Sequence, residues 1–180
     1  MEKLGVHKRD IMVDRVVAAR DAQSEAKEQF LTAMEQFKGV VAFQGGDLER
    51  EYHRLDATLR QSEASAAAVR ERIGAVEDVS EALFSEWEAE LGQYSSDALR
   101  QASQRKYDAT KRKYTQLLAA MKRAEARLEP VLVPLRDQVL FMKHNLNARA
   151  IAGLGEEVVS VQANVDKLVR EMESAITQAD

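Results

Sequence analysis

The chain has 180 residues, 45% of them apolar and 31% charged, with a formal net charge of −4 and no cysteine. This acidic balance argues against a dedicated nucleic-acid binder, because phosphate contacts need a basic surface. The absence of cysteine excludes disulfides, thiolate catalysis and cysteine-ligated metals. Glycine and proline are scarce, with eight and two residues, which is typical of chains built from long amphipathic helices.

Glycines divide the chain into four predicted helices, since glycine commonly ends a helix. The predicted bounds are residues 7–43, 47–91, 97–152 and 156–178, within a single all-helical domain covering residues 1–180. In the first helix, Phe30, Met34 and Phe37 follow one another at spacings of four and three, which places them on one face.

The second helix carries the most regular pattern in the chain. Its apolar and small residues alternate at spacings of four and three: Leu48, Tyr52, Leu55, Leu59, Ser62, Ala66, Val69, Ile73, Val76, Ser80, Leu83 and Trp87. This period of about 3.5 residues is that of a coiled-coil seam. At about 1.5 Å per residue the helix would be about 65–70 Å long, so we expect an elongated molecule.

A serine at Ser95-Ser96 is the predicted cap of the third helix, which then runs to Ala152 with both prolines, Pro130 and Pro134, inside it. An interior proline removes a backbone hydrogen bond and kinks a helix. Because the apolar period continues through both prolines, we expect a bend there and not an end.

Short joints make neighbouring helices antiparallel. The helix lengths therefore predict an all-α, elongated antiparallel four-helix bundle that thins to a two-helix coiled-coil tip at residues 92–97. Residues 71–90 carry a net charge of −6 and residues 97–127 a net charge of +6. We expect these stretches to face each other and pair, since opposite charges select the register of such helices.

Two features near the predicted tip could also contact a partner. The basic run from Arg105 to Arg123, interleaved with Tyr107 and Tyr114, could bind nucleic acid or lipid, although pairing with the second helix explains the same charges. Trp87 has seam spacing and is expected to pack against the third helix, but a tryptophan at the tip could instead touch a partner or a membrane surface.

The patterns required by common catalytic and metal sites do not occur. A ferritin-like metal site in a helical bundle needs Glu-x-x-His pairs, and none of the three histidines has a glutamate three positions before it. No phosphate-binding loop ends in Gly-Lys-Ser/Thr. We therefore predict no catalytic, cofactor-binding or metal-ligating residue and expect no cofactor and no enzyme activity.

The predicted third helix also holds an unusual group of polar residues among its apolar ones: Gln138, His144, Asn145, Asn147 and Arg149. Buried amides in helical cores often fix the register of packing at a cost in stability. The same residues could instead form a recognition surface at the wide end of the bundle, and they are our interaction candidates.

Three segments resemble a family of bacterial proteins: residues 1–23, residues 75–95, and residues 123–152 (RAEARLEPVLVPLRDQVLFMKHNLNARAIA), together with the joint at Gly45-Gly46. It is the proteobacterial domain of unknown function family 2959, and the resemblance covers essentially the whole chain. Members usually begin with a lipoprotein-type signal, so the resemblance implies that this chain is the mature part of a periplasmic protein with an N-terminal lipid anchor that the chain itself lacks.

The expected function is a non-enzymatic spacer or adaptor of the bacterial envelope, which binds an unidentified protein or associates with itself. The alternative is a lipid-binding or membrane-shaping helical module, indicated by the basic run and Trp87. A third hypothesis, a hydrolase, depends only on the polar group of the third helix. A cytoplasmic location is the alternative to the periplasm.

Overall fold

The protein is all-helical in the computed structural model, which describes residues 2–42, 47–147, 150–151 and 153–179, with side chains from residue 8 onward. Its helices are α1 (Glu2–Val41), α2 (Leu48–Leu91), α3 (Asp97–Ala126), α4 (Leu128–His144) and α5 (Gly155–Ala179). No strand occurs in these described ranges. The prediction of an all-α helical bundle is confirmed.

The helices form a ring in which each packs against its two neighbours. Helix α1 lies between α2 and α5, while α3 and α4 together lie between α2 and α5 on the opposite side. The contacts run antiparallel: near its start α1 places Lys8 beside Glu86 of α2, and further along Gln29 donates to the Thr58 carbonyl. Since α2 has 44 residues, it is about 66 Å long.

One large apolar core fills the four-helix part of the bundle. Its fully buried large side chains include Phe30 and Phe37 of α1, Leu55 of α2, Leu132 of α4 and Leu168 of α5. Ten of the twelve predicted seam residues of α2 are buried, and Leu48 and Trp87 at its two ends are half-buried. The heptad pattern therefore identified the packed face of α2 correctly.

Side chains with oxygen acceptors begin α2 and α3. The Asp47 carboxylate accepts from the Arg50 amide at 3.1 Å, and the Ser96 hydroxyl accepts from the Leu99 amide at 3.3 Å. Each satisfies a backbone donor that a helix start leaves free. Helix α1 begins at Glu2, five residues before its predicted start, while its predicted end at Phe43 and the Gly45-Gly46 joint lie outside the described residues.

The single predicted helix over residues 97–152 is wrong, because the chain leaves the helix at Arg127 and again after His144. Pro130 has no amide hydrogen to donate to the Ala126 carbonyl, and α3 ends at that residue. Pro134 lies inside α4 and likewise leaves the Pro130 carbonyl free. The Asn164 side chain of α5 donates to this carbonyl at 3.3 Å, which lets α4 continue through Pro134.

Some residues expected on packed faces are exposed. The apolar period of the third predicted helix begins at Leu99 and ends at Leu146, which are 60% and 37% exposed. The apolar stripe of the first predicted helix includes Val13 and Val17, which are 47% and 38% exposed. Leu99 lies in the first turn of α3, and Leu146 lies beyond the end of α4. Both positions lie at or beyond the end of a packed helix, so periodicity alone overestimates the core.

The expected charge pairing between α2 and α3 forms only in part. Among the described residues, one ion pair joins the acidic stretch of α2 to α3, from Lys122 Nζ to Glu77 Oε1 at 2.8 Å. Two other pairs bind α2 to α4 instead: Arg70 to Glu129 and Arg136 to Glu63, both at 2.6 Å. Most acids of α2 and most cations of α3 therefore face solvent or the space between the two helices.

Candidate functional site

Helix α4 is apolar on its outer side as well as on its packed side. Leu128, Val131, Leu132, Leu135, Val139 and Met142 are buried in the bundle. On the opposite side, Val133, Leu140 and Phe141 are 47%, 58% and 41% exposed. Their spacing of seven and one places them in a row on the outer side, where the exposed Asp137 lies between Val133 and Leu140. An apolar face of this kind marks an interaction surface more often than a scattered exposed leucine does.

The polar turn that follows α4 is held by its own asparagines. The Asn145 side chain donates to the Phe141 carbonyl at 2.9 Å, and its backbone amide donates to Met142. The Asn147 Oδ1 accepts from the Ala150 amide at 2.8 Å. The structure therefore brings Asn145 and Asn147 together in one turn, where each side chain satisfies a backbone group that a helix end leaves free.

The other interaction candidates occupy different environments. Gln138 is half-buried on α4, and its Oε1 is shielded from solvent without accepting a hydrogen bond from any described residue. His144 is the last residue of α4 and is exposed beside the row of Leu140 and Phe141. Arg149 lies outside the described residues. No hydrogen bond among the described residues connects Gln138 with His144, Asn145 or Asn147.

Trp87 belongs to an aromatic cluster between α2 and α3. Its ring lies 6.5 Å from the Phe84 ring and 5.6 Å from the Tyr107 ring, and its Nε1 donates to the Ser103 hydroxyl at 2.9 Å. The Arg9 guanidinium lies 6.0 Å from the Trp87 ring centre, within cation–π range. The indole is half-buried and its polar atom is satisfied within the protein, although part of its surface stays available to a partner.

A basic face remains on the outer side of α3. Arg105, Lys106, Arg112 and Lys113 are all exposed, and their spacing of one, six and one places them side by side on the helix. None of the four forms an ion pair with another described residue. Lys122 differs from them, because its hydrogen bond with Glu77 raises the pKa of its ammonium group.

The described residues contain neither a metal-binding cluster nor a membrane-spanning helix. No group of three or more histidine, aspartate and glutamate side chains is arranged to hold a metal ion within these ranges. No helix in the described part of the chain has the length and apolar character needed to cross a bilayer.

The outer row of α4 was missed in the sequence, although a signal was present. Val133, Leu140 and Phe141 lie off the seam assigned to the third helix, so periodicity gave them no role. Nine of residues 128–142 are nevertheless leucine, valine, phenylalanine or methionine, which is more than one packed face of a helix requires. Among the described residues, α4 packs against its neighbours through one side, and the other side is exposed.

Comparison with known proteins places the chain in a family. The model of the family described as "Protein of unknown function (DUF2959)" matches residues 1–180, the full length of the chain. No curated protein matches it with significance. The match agrees with the resemblance carried by residues 123–152, which contain α4 and the turn after it. The chain belongs to the DUF2959 family of proteins of unknown function.

Proposed function

We propose that the protein is a non-enzymatic interaction module, an adaptor or spacer of the bacterial envelope that binds another protein through the outer face of α4. The observation that carries this proposal is the exposed row of Val133, Leu140 and Phe141 at the four-helix end. Covering the row removes apolar surface from water, which is the dominant favourable term in most protein association.

The surroundings of the row also support this role. The side chains of Asn145 and Asn147 form hydrogen bonds with the backbone at the turn after α4. These bonds hold the end of the helix that carries the exposed row. Ion pairs of Arg136 with Glu63 and Glu129 hold α4 to α2 and to its own first turn. A rigid surface loses little conformational entropy when a partner binds.

The test compares the wild-type chain with Leu140→Gln/Phe141→Gln in its native cell, by measuring the size of the complex that contains each tagged protein. We expect a complex larger than the monomer for the wild type and its loss in the double variant. The matched control is Val159→Gln, which changes an apolar residue that is 72% exposed on α5. An unchanged complex in the double variant would contradict the proposal, and a complex of twice the chain mass would identify a second copy as the partner.

The envelope location is tested separately by fractionating cells that express the protein at its native level. The proposal expects the chain in the envelope fraction, either periplasmic or released from membranes by detergent. Recovery in the cytosol alone would remove the envelope from the proposal without affecting the interaction surface.

A second candidate function is binding to an anionic lipid surface, and the basic face of α3 favours it. Arg105, Lys106, Arg112 and Lys113 are exposed and form no ion pair within the described ranges. Each cation near an anionic membrane contributes about 1 kcal/mol of attraction, which salt screens. The exposed Leu99 lies two turns before this face and could insert between headgroups.

Co-sedimentation with vesicles of phosphatidylglycerol and phosphatidylcholine tests this candidate. If it is correct, the chain sediments with the vesicles at low salt, and replacing the four cations with glutamine abolishes sedimentation. The control Lys167→Gln/Arg170→Gln removes two exposed cations of α5 and should leave binding in place. A chain that stays in the supernatant at low salt would rule this candidate out.

A further inference from the structure

A groove lies between α2 and α3 on the side away from the basic face of α3. It has a volume of about 350 Å³, which is within the range of small-molecule sites. Phe84, Tyr107 and Tyr114 supply its aromatic lining, and Glu81, Glu88 and Lys111 supply its charged groups. We call this feature the α2–α3 groove.

The side-chain contacts between the two helices shift in register here. Between the Trp87–Ser103 contact and the Glu77–Lys122 contact, α2 advances by ten residues and α3 by nineteen. Phe84 lies inside this stretch and contacts both Tyr107 and Tyr114 of α3. The groove lies beside these aromatic contacts.

The aromatic wall is rigid. The Phe84 ring meets Tyr107 edge to face at 5.8 Å and meets Tyr114 at 6.2 Å, while Trp87 stacks behind it. Phe84 and Tyr107 are buried, so their positions are fixed by packing. Aromatic faces carry partial negative charge and attract cations.

Two glutamates of α2 form the acidic wall. Glu81 and Glu88 are seven residues apart on one side of α2, with Phe84 between them, and both are exposed. Neither forms an ion pair with a described residue, whereas Glu77 at the end of the groove is paired with Lys122. The ammonium groups of Lys111 and Lys122 act on Glu88 and Glu81 only at longer range, so both carboxylates can accept a further cation.

The protein itself places one cation in this groove. The Lys111 ammonium lies 3.2 Å from the Tyr107 hydroxyl and 5.4 Å from the centre of its ring. Its pKa is raised, first by the hydrogen bond with Tyr107, and Glu88 contributes electrostatically. The groove thus already stabilises an ammonium group at one of its aromatic rings.

From this geometry we infer that the α2–α3 groove is a binding site for a small organic cation, an ammonium group joined to an aromatic or apolar body. The cationic group sits between Glu81 and Glu88, and the apolar part lies against the half-buried Tyr114 and Leu118. Lys111 competes for the same negative field, so it lowers the affinity of the site for the ligand.

Phenethylammonium is the probe that tests this site, and 2-phenylethanol is its uncharged counterpart. Binding is followed by the fluorescence of Trp87, the one tryptophan of the chain, which stacks on the Phe84 ring. Amide chemical shifts of residues 81–88 and 107–115 give the location. We expect saturable binding of phenethylammonium at this location and affinity lower by roughly tenfold for 2-phenylethanol.

Two double variants, each of which removes two negative charges, distinguish binding in the groove from general attraction to the acidic helix α2. Glu81→Gln/Glu88→Gln should weaken binding by roughly tenfold or more, because it removes both carboxylates of the groove. Glu71→Gln/Asp78→Asn removes two exposed acids of the same helix outside the groove and should leave binding unchanged. Lys111→Gln should strengthen binding by roughly threefold, since it removes the competing cation.

The inference is overturned by any of three results: equal binding of 2-phenylethanol, retained affinity in Glu81→Gln/Glu88→Gln, or chemical-shift changes confined to residues outside the groove. All the substituted positions are exposed, so the variants keep the packed core. Circular dichroism verifies their folding before the titrations.

Discussion

The two ends of the molecule differ in what holds their helices together. At the four-helix end, large apolar side chains such as Phe30, Phe37 and Leu132 are fully buried between the packed helices. At the tip, α2 packs against α3 through a separate cluster of Phe84, Leu91 and Tyr107. Periodic packing specifies the first region, and a few aromatic contacts specify the second.

The two ends also differ in the kind of ligand that their surfaces suit. The four-helix end has enough core to tolerate an uncovered apolar row on α4. The tip has fewer packed residues, and the α2–α3 groove lies beside its aromatic cluster. Flat apolar rows fit protein partners, and concave aromatic grooves fit small molecules, so the two ends call for different ligands.

The largest expected effect comes from the core of the four-helix end. Phe30→Ala removes a fully buried ring and leaves a cavity, which should lower the free energy of unfolding by about 3–5 kcal/mol. Urea denaturation followed by circular dichroism measures the change. Val159→Ala is the control at an exposed site, and equal losses for the two variants would contradict the assigned core.

A smaller loss is expected at the tip. Phe84→Ala removes the ring that contacts Trp87, Tyr107 and Tyr114. We expect a loss of about 2–3 kcal/mol, less than for Phe30, because a site near the helix ends collapses more readily around a cavity. The fluorescence of Trp87 should shift to longer wavelength as its surroundings become wetter. A larger loss than for Phe30→Ala would contradict the prediction that the four-helix end contributes more to the free energy of unfolding than the tip does.

The turn after α4 should depend on its asparagines more weakly. Asn147→Ala removes the acceptor of the Ala150 amide, and the loss of such a cap costs about 1 kcal/mol. Asn147→Asp keeps an acceptor and should retain most of the stability. Thermal unfolding of both variants checks this, and identical melting temperatures for Asn147→Ala and the wild type would contradict the capping role.

The smallest effect concerns the ion pairs between α2 and α4. The hydrogen bond from Arg70, together with Arg136, holds the pKa of Glu129 below its ordinary value of 4.5. Because the pKa of Glu129 is lower in the folded chain than in the unfolded chain, the ionised carboxylate stabilises the fold at pH values above its ordinary pKa. This stabilisation is lost as the pH falls through the lowered pKa of the folded chain. Because the pair is solvent-exposed, we expect less than about 1 kcal/mol.

Urea titrations of the wild type and Glu129→Gln at neutral and acidic pH measure that contribution. The wild type should be slightly more stable at neutral pH, and the difference should vanish in acid. The control is Glu71→Gln, an exposed acid of α2 that forms no ion pair with a described residue. A Glu129 effect that grows as the pH falls would contradict the assignment.

Much of the fold was predictable because it depends on local spacing. The seam of α2 and the caps at Asp47 and Ser96 follow from residue type and period. The break at Arg127 was not predicted, because the apolar period passes through it. It follows from Pro130, which cannot donate to the Ala126 carbonyl, whereas the Pro130 carbonyl left free by Pro134 accepts from Asn164 of another helix.

The candidate surfaces were less predictable, since exposure depends on which helix faces have neighbours. Leu140 and Phe141 lie off the predicted apolar seam, and the packing of α4 leaves both of them exposed. The α2–α3 groove depends on how the side chains of two helices meet. The opposite charges of α2 and α3 predicted pairing, whereas Glu81 and Glu88 form no ion pair with a described residue.

The most direct test of the proposed division between the two ends is photo-cross-linking in the native cell. A benzophenone side chain replaces Leu140 at the four-helix end in one variant and Leu99 at the tip in another, since both positions are well exposed. We predict a discrete protein adduct from position 140 and none from position 99. Protein adducts from position 99 alone would contradict the account and move the partner surface to the tip.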